Sequence, residues 1–550
     1  MRPVIVTGAR VNNLAGVDLA LHFGTMVAFT GPSGSGKSSL AFDVLYAEAH
    51  RLGRARGVSR VFRHSGGLCD VRNLPGATVG MEQQLVSRPG EPRRLAPREQ
   101  KWLRDAGFLT IDPFRAPSTT QERMLRFLAS LQGLAEPALA ILDEPCAGLV
   151  PAEAAAVAKL LASLARDAGH LVVAVDHMPQ IMEAADRVIA FGPGSGADGG
   201  HITFDGPSHL YRGSHHAAIP VPERGALPLR SLRLSAALRD WFGSAGEVEV
   251  AIPLHRLVCV AGRAGSGKTA FLEAMRTITD KTPDAWLGRR SIVWRKGNEH
   301  VRRSHLISAD PIGYHPGSTP ATYMGIWDTV REIFAASGKT GGERMTPLDF
   351  SFNSEKGRCP RCRGRGWTGE GVFDECPECG GTRYNPRVLT RRISGRTIAD
   401  VNGMTVREAR DFFNDCPRIT RKLDHLMETG LGYLTLGQPS NSLSGGEAQR
   451  IRIAALLCKR LGDRSLYILD NPARGLDSAS VAALIASLHG LVARNNTVLI
   501  AENRPEMLET ADWAIVLERK AGALCSAAFA GPPGECPAKI RRRLGYSTRA

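Results

Sequence analysis

Two glycine-rich stretches of this sequence have the residue types to hold a polyphosphate. The first reads Gly31, Pro32, Ser33, Gly34, Ser35, Gly36, Lys37, Ser38 and continues with Ser39; the second reads Gly262, Arg263, Ala264, Gly265, Ser266, Gly267, Lys268, Thr269. Both have the spacing G-x-x-x-x-G-K-[ST]. Their glycines let backbone N–H groups wrap phosphate oxygens at a helix N-terminus, Lys37 and Lys268 add charge at the β and γ phosphates, and Ser38 or Thr269 offers a hydroxyl to magnesium. A glycine-rich turn without a ligand is the competing reading. Further along, two apolar runs end in acids: Leu139 to Asp143-Glu144-Pro145, and Leu466 to Asp470-Asn471-Pro472. Asp143 and Asp470 suit support of magnesium through water, and Glu144 can orient and deprotonate an attacking water. Asn471 cannot take a proton, so only the first acidic run carries a base.

These residues call for a strand, a tight loop and a helix, twice over. Apolar runs at Met26–Thr30 and Leu257–Ala261 precede the loops, and the first loop leads into a helix-like segment, 39–49. At 550 residues the chain is too long for one hydrophobic core, which agrees with two similar halves. The expected fold is α/β, two tandem P-loop ATPase halves packed head to tail: residues 1–213, a proline-bearing linker over 214–246 (Pro220, Pro222, Pro228), and 247–550. Between the second loop and its acidic strand lies a signature over 443–450. Ser444 is placed to cap a helix there, and Gly445, Gly446 and Glu447 follow so that backbone donors can approach a γ-phosphate held by the other half. This is the signature of ABC-type ATPases.

Cys359, Cys362, Cys376 and Cys379 form two C-x2-C pairs inside the second half, in a module over about 355–386. Such pairs suit tetrahedral zinc, with iron or a redox pair as alternatives. Glycines Gly364, Gly380 and Gly381 let backbone N–H groups reach the sulfurs. Arg361, Arg363, Arg365 and Arg383 would make the module basic and able to meet phosphates, while Trp367 and Phe373 either press on bases or fill a small hairpin core.

A net charge of +16 favours a polyanionic partner such as nucleic acid, although an arginine-rich genome yields the same balance. Of the eleven cysteines only four have paired spacing, which reads as a metal site in a reducing compartment. Neither a long apolar run nor a signal peptide stands out, so a cytoplasmic protein is expected.

The residues from Ser33 through Lys37 to Asp43, Pro320 to Tyr323, Phe350 to Asn353, and Leu431 to Gln438 resemble the UvrA family of nucleotide excision repair over nearly the whole chain. That resemblance implies a tandem ABC ATPase that dimerises on duplex DNA, probes it for distortion and uses ATP to control loading and release, with ATP, Mg2+ and Zn2+ as cofactors. It also implies a pairing of each P-loop with the other half's signature. One composite site then keeps Gly31 to Ser38, Gln83, Asp143, Glu144 and His177 opposite Ser444 to Glu447. The other has Ala309 where a glutamine is expected, Asn471 for the glutamate, Asn503 for the switch histidine, and Pro117, Ser118, Thr119, Thr120 and Gln121 where the signature glycines belong. The intact site is expected to hydrolyse ATP through Glu144, His177 and Gln83. The degenerate one is expected to hold nucleotide through Lys268, Thr269 and Asp470.

In the first half only residues 84–117 separate Gln83 from Ser118, whereas 310–443 separate Ala309 from Ser444. The insert that recruits UvrB in the family has nearly vanished, so UvrB is not expected on its usual surface. The hairpin of the cysteine module, Arg363 to Glu375, is also shorter than the family's. After Trp513 the second half is expected to depart from the first, because Gly192 to Gly200 has no counterpart. The alternatives are a DNA-binding factor for which ATP is a conformational ligand, and an ABC ATPase coupled to drug export.

Overall fold

The computed structural model describes all residues except 57–68, 82–96, 98, 99, 102, 103, 105–118, 195–198, 213–232, 240–246, 277–290, 308–311, 314–316, 338–344, 369–373, 441, 442, 444, 459–463, 520–524 and 547–550. Its contacts divide the chain into two compact units: Met1–Ser308 with Gly462–Ala550, and Ala309–Leu461.

The first unit holds two sheets built to one plan. In the N-terminal half, Met26–Thr30 lies between Leu171–Val175 and Arg187–Gly192, and the seven-stranded sheet continues through Leu139–Asp143 and Thr78–Met81 to Ala55–Arg56. These strands run parallel, while His201–Pro207 closes the other edge antiparallel. In the C-terminal half, Leu257–Ala261 lies between Thr497–Ala501 and Trp513–Arg519. Ser465–Asp470 and Arg303–Ile307 extend one side of this six-stranded sheet, and Cys525–Gly531 closes the other. The closing hairpin is thus present in both halves after Arg187 and after Trp513.

Continuous apolar runs suit strands covered on both faces. Met26 and Ala28 enter one core while Val27 and Phe29 enter another on the opposite face, as the two-residue period requires. Each half adds a three-stranded antiparallel sheet: Val17–Leu21, Val4–Ala9 and Asp70–Arg72 in the first, and Glu247–Pro253, Arg233–Arg239 and Ser291–Lys296 in the second. Arg233–Arg239 lies inside the segment read as a linker. It is a strand because Leu234, Ala236 and Leu238 alternate with other residues once the prolines have ended.

The second unit is mainly helical around its own core, which includes Trp327, Phe334, Phe350, Phe352, Leu423 and Ile451. Pro320–Tyr323 forms a short helix that begins where the Thr322 N–H donates to Thr319 Oγ1 at 3.2 Å. The signature continues as the helix Gly445–Cys458. The cysteine module belongs to this unit.

Candidate nucleotide sites and metal centre

Both P-loops turn in the same way. Gly31, Gly34 and Gly36 have φ of 126°, 75° and 103°, and Gly262, Gly265 and Gly267 have 153°, 78° and 93°. At Gly31 a Cβ would lie 2.1 Å from the Phe191 carbonyl oxygen, and at Gly262 it would lie 2.4 Å from that of Leu517. Only glycine fits these two positions. Lys37 Nζ reaches back to the Gly31 and Pro32 carbonyls at 2.9 and 2.6 Å, and Lys268 Nζ to those of Gly262 and Arg263. Ser39 begins the helical turn after the first loop, and the helix Lys268–Arg276 follows the second.

The hydroxyl and acid expected beside magnesium meet in both halves. Ser38 Oγ lies 3.5 Å from Asp143 Oδ1, and Thr269 Oγ1 donates to Asp470 Oδ2 at 2.7 Å. Paired hard oxygens of this kind fit a magnesium ion. Burial and the adjacent Glu144 raise Asp143 to about 7, against the charges of Arg123, Arg474 and Lys37. Burial lowers Lys37 to about 8 in spite of Asp477, Asp143 and Glu144. His177 is pushed well down by burial and by the charges of Lys37 and Arg504, so its ring is neutral near pH 7.

Glu144 and Asn471 share a left-handed backbone, φ 48° and 47°. In each case the N–H bonds to the end of the neighbouring strand, Glu144 to Val175 O at 2.8 Å and Asn471 to Ala501 O at 2.9 Å. Strained backbone of this kind gathers at functional sites. The side chains differ in their bonding. Asn471 Nδ2 donates within its own half to Asp470 Oδ1 at 2.8 Å, while Glu144 Oε2 lies 3.4 Å from Arg474 Nε of the other half. Asn503, at the switch position, is buried and fully used. It accepts from Gly262 N at 3.0 Å and donates to the carbonyls of Gly262 and Gly148.

Several residues here were not singled out from the sequence. Asp477 Oδ2 accepts from Ser33 N at 3.0 Å, and Ser33 Oγ donates to Gly475 O at 2.7 Å. Glu153 accepts from Ala264 N at 3.2 and 3.1 Å. Each P-loop is therefore touched at its third residue by a carboxylate of the other half. Asp176 and Glu502, both buried, tie the switch residue's N–H to the turn after the acidic strand, through Cys146 and Ala473 respectively. Arg123 donates to the carbonyls of Asp143 and Glu144 at 2.6 and 3.3 Å. Asp477 had a legible signal, since it caps the apolar helix Ser478–Val492; Arg123 had none.

Of the expected site residues, Gln83 and Ser444 lie outside the described residues, as do Ala309, Pro117, Ser118 and Phe373. Gly445, Gly446 and Glu447 open the signature helix, where Glu447 Oε1 accepts from Tyr433 OH at 2.6 Å. In the first half the corresponding helix is Thr119–Leu131, and Thr120 Oγ1 donates to Ala147 O at 3.1 Å.

The four module cysteines come together, buried, with all four sulfurs within 4.8 Å of one another. Cys359 to Cys376 is 3.8 Å and Cys362 to Cys379 is 3.7 Å. Four sulfurs about 2.3 Å from a common zinc would be spaced by about 3.8 Å, so the cluster fits that ion. Gly366 N donates to Cys362 Sγ at 3.3 Å. Arg361, Arg363 and Arg365 are exposed, whereas Arg383 is buried with its guanidinium 5.2 Å from the centre of the Phe352 ring. Arg383 thus packs the module and does not face a phosphate. Trp367–Thr368 and Asp374–Glu375 pair as the base of the short hairpin.

No protein-family model matches the chain. It is 37% identical over 452 residues to UvrABC system protein A of Thermus thermophilus, covering 76% of this chain and 46% of that protein. To the protein of the same name from Aquifex aeolicus it is 37% identical over 485 residues, with 82% and 52% covered. The chain thus spans about half the length of these curated relatives. Among solved structures, UvrA2 from Deinococcus radiodurans superposes with a TM-score of 0.79 at 22% identity, covering 98% of this chain and 99% of that one. This likeness shows the fold, a tandem pair of ABC-type ATPase halves with a small cysteine module. Among the described residues no helix is long and apolar enough to cross a membrane.

Proposed function

The chain belongs to the UvrA family, and from that premise we propose that it is an ATP hydrolase that binds duplex DNA, in nucleotide excision repair or in self-protection against a DNA-modifying compound. The observation that carries this reading is the grouping around the first P-loop. Lys37, Ser38, Asp143, Glu144 and His177 gather there, close enough for the charges of Lys37, Asp143 and Glu144 to act on one another. The second P-loop has Asn471 and Asn503 in the matching places.

At the first site the P-loop amides and Lys37 hold the β and γ phosphates, Ser38 and Asp143 would hold magnesium, and Glu144 takes a proton from the water that attacks the γ-phosphorus. The bond to the β,γ-bridging oxygen breaks and ADP leaves. Magnesium, when bound, offsets charge on the phosphate oxygens. His177, neutral, is suited to hydrogen-bond a γ-phosphate oxygen. At the second site nucleotide binds through Lys268, Thr269 and Asp470 without efficient turnover, because an amide orients water but does not remove its proton.

Zinc in the cysteine cluster would hold the module in shape, and the exposed Arg361, Arg363 and Arg365 supply positive charge for a DNA backbone. Assembly as a homodimer on DNA is part of the proposal. Steady-state ATPase with and without adducted duplex DNA tests it. Stimulation by adducted DNA supports a damage-responsive ATPase, whereas tight ATP binding with slow, DNA-indifferent turnover contradicts it and favours a binding factor.

A further inference from the structure

Arg474 crosses from one half to the other. It sits on the turn after Asp470, Asn471 and Pro472, and its Nε lies 3.4 Å from Glu144 Oε2. The two side chains are 24% and 10% exposed. The matching residue in the first half, after Asp143, Glu144, Pro145 and Cys146, is Ala147. The second site therefore has no equivalent pair, since Ala147 cannot reach across and Asn471 carries no charge.

The backbone of Glu144 is fixed by its bond to Val175 and by Arg123 on its carbonyl. Its carboxylate is held otherwise. Among the described residues, Arg474 is the one side chain bonded to it. Among the described residues Nη2 of Arg474 is buried with no hydrogen-bond partner, and both residues line one open cleft. The same turn supplies Gly475 O and Asp477 to Ser33 of the first P-loop.

We propose that Arg474 is a positioning residue acting from the second half, which aims the Glu144 carboxylate at the attacking water and links turnover at the first site to the turn 471–477. This rests on the reading of Glu144 as the base. Movement of that turn changes the setting of Glu144 and of Ser33 together, so the non-hydrolysing half gains control over the hydrolysing one.

The test uses the full chain and compares kcat and KM for ATP in wild type, R474A, R474K, E144Q and the R474A/E144Q double variant. R474A is expected to lower kcat by about 10- to 100-fold, the scale of a misplaced reacting group, with KM nearly unchanged. R474K recovers part of the loss, and R474A costs nothing further in the E144Q background. Wild-type kcat in R474A, or an equal loss in both backgrounds, overturns the role of Arg474. Wild-type turnover in E144Q removes the reading of Glu144 and the inference with it, whereas loss in E144Q beside normal turnover in R474A removes the inference alone.

Discussion

Asp477 accepts a hydrogen bond from the backbone N–H of Ser33 at 3.0 Å, joining a helix start in the C-terminal half to the P-loop of the N-terminal half. Glu153 does the same for Ala264 in the other direction. The two carboxylates are not at matching positions, for Asp477 is the helix N-cap and the N-cap before Glu153 is Val150. The longer side chain of Glu153 restores a contact that valine cannot make.

The Asp477 contact should be visible in stability. Burial opposes the charge of Asp477, but hydrogen bonds from Ser33 N and from Ser480 N and Oγ outweigh it and hold the carboxyl at about 2. A folded-state value below the free value of about 3.9 gives stability that is present above about pH 4 and is lost as pH falls toward 2. D477A should therefore destabilise the protein by about 2 kcal/mol at pH 7. Thermal unfolding should show its difference from wild type narrowing below about pH 4.

Removing the two P-loop lysines should have unequal effects. K37A should abolish turnover, while K268A should remove one bound nucleotide and leave about a third or more of the turnover, if hydrolysis runs through Glu144. Nucleotide counting on filters beside a steady-state assay separates the two.

Alanine at Gly262 would bring a Cβ within 2.4 Å of the Leu517 carbonyl oxygen, at a φ of 153°. G262A should distort the second loop, costing about 2 kcal/mol or more and weakening nucleotide binding there. Equilibrium binding of a fluorescent ATP analogue measures the loss, which should be one of two sites.

The cysteine cluster should hold about one zinc per chain, and C359S or C376S should leave near none. Metal analysis of the purified proteins checks this, with a thermal melt expected to show an earlier transition. Full zinc content in C376S would contradict a four-sulfur site.

Much of this was legible because glycine, lysine, acid and cysteine spacings are local. Gly31 to Ser38 and Cys359 to Cys379 depend on few residues outside their own segments. What was not legible depends on which segments meet. Arg474 and Glu153 are ordinary surface types in sequence, and only the placing of the two halves sets them against Glu144 and Ala264. Arg383 was read as a phosphate contact and is buried on Phe352, because a long aliphatic stem can be used as packing. Arg233–Arg239 was hidden by the prolines before it, which resemble a linker until the alternation begins.

In the proposed mechanism one site hydrolyses ATP through Glu144 and the other does not. The most direct measurement is steady-state ATP turnover of E144Q beside D470N, both full length. E144Q should lose turnover by about 10²- to 10⁴-fold while D470N keeps most of it. Undiminished turnover in E144Q, or equal losses in both, would contradict it.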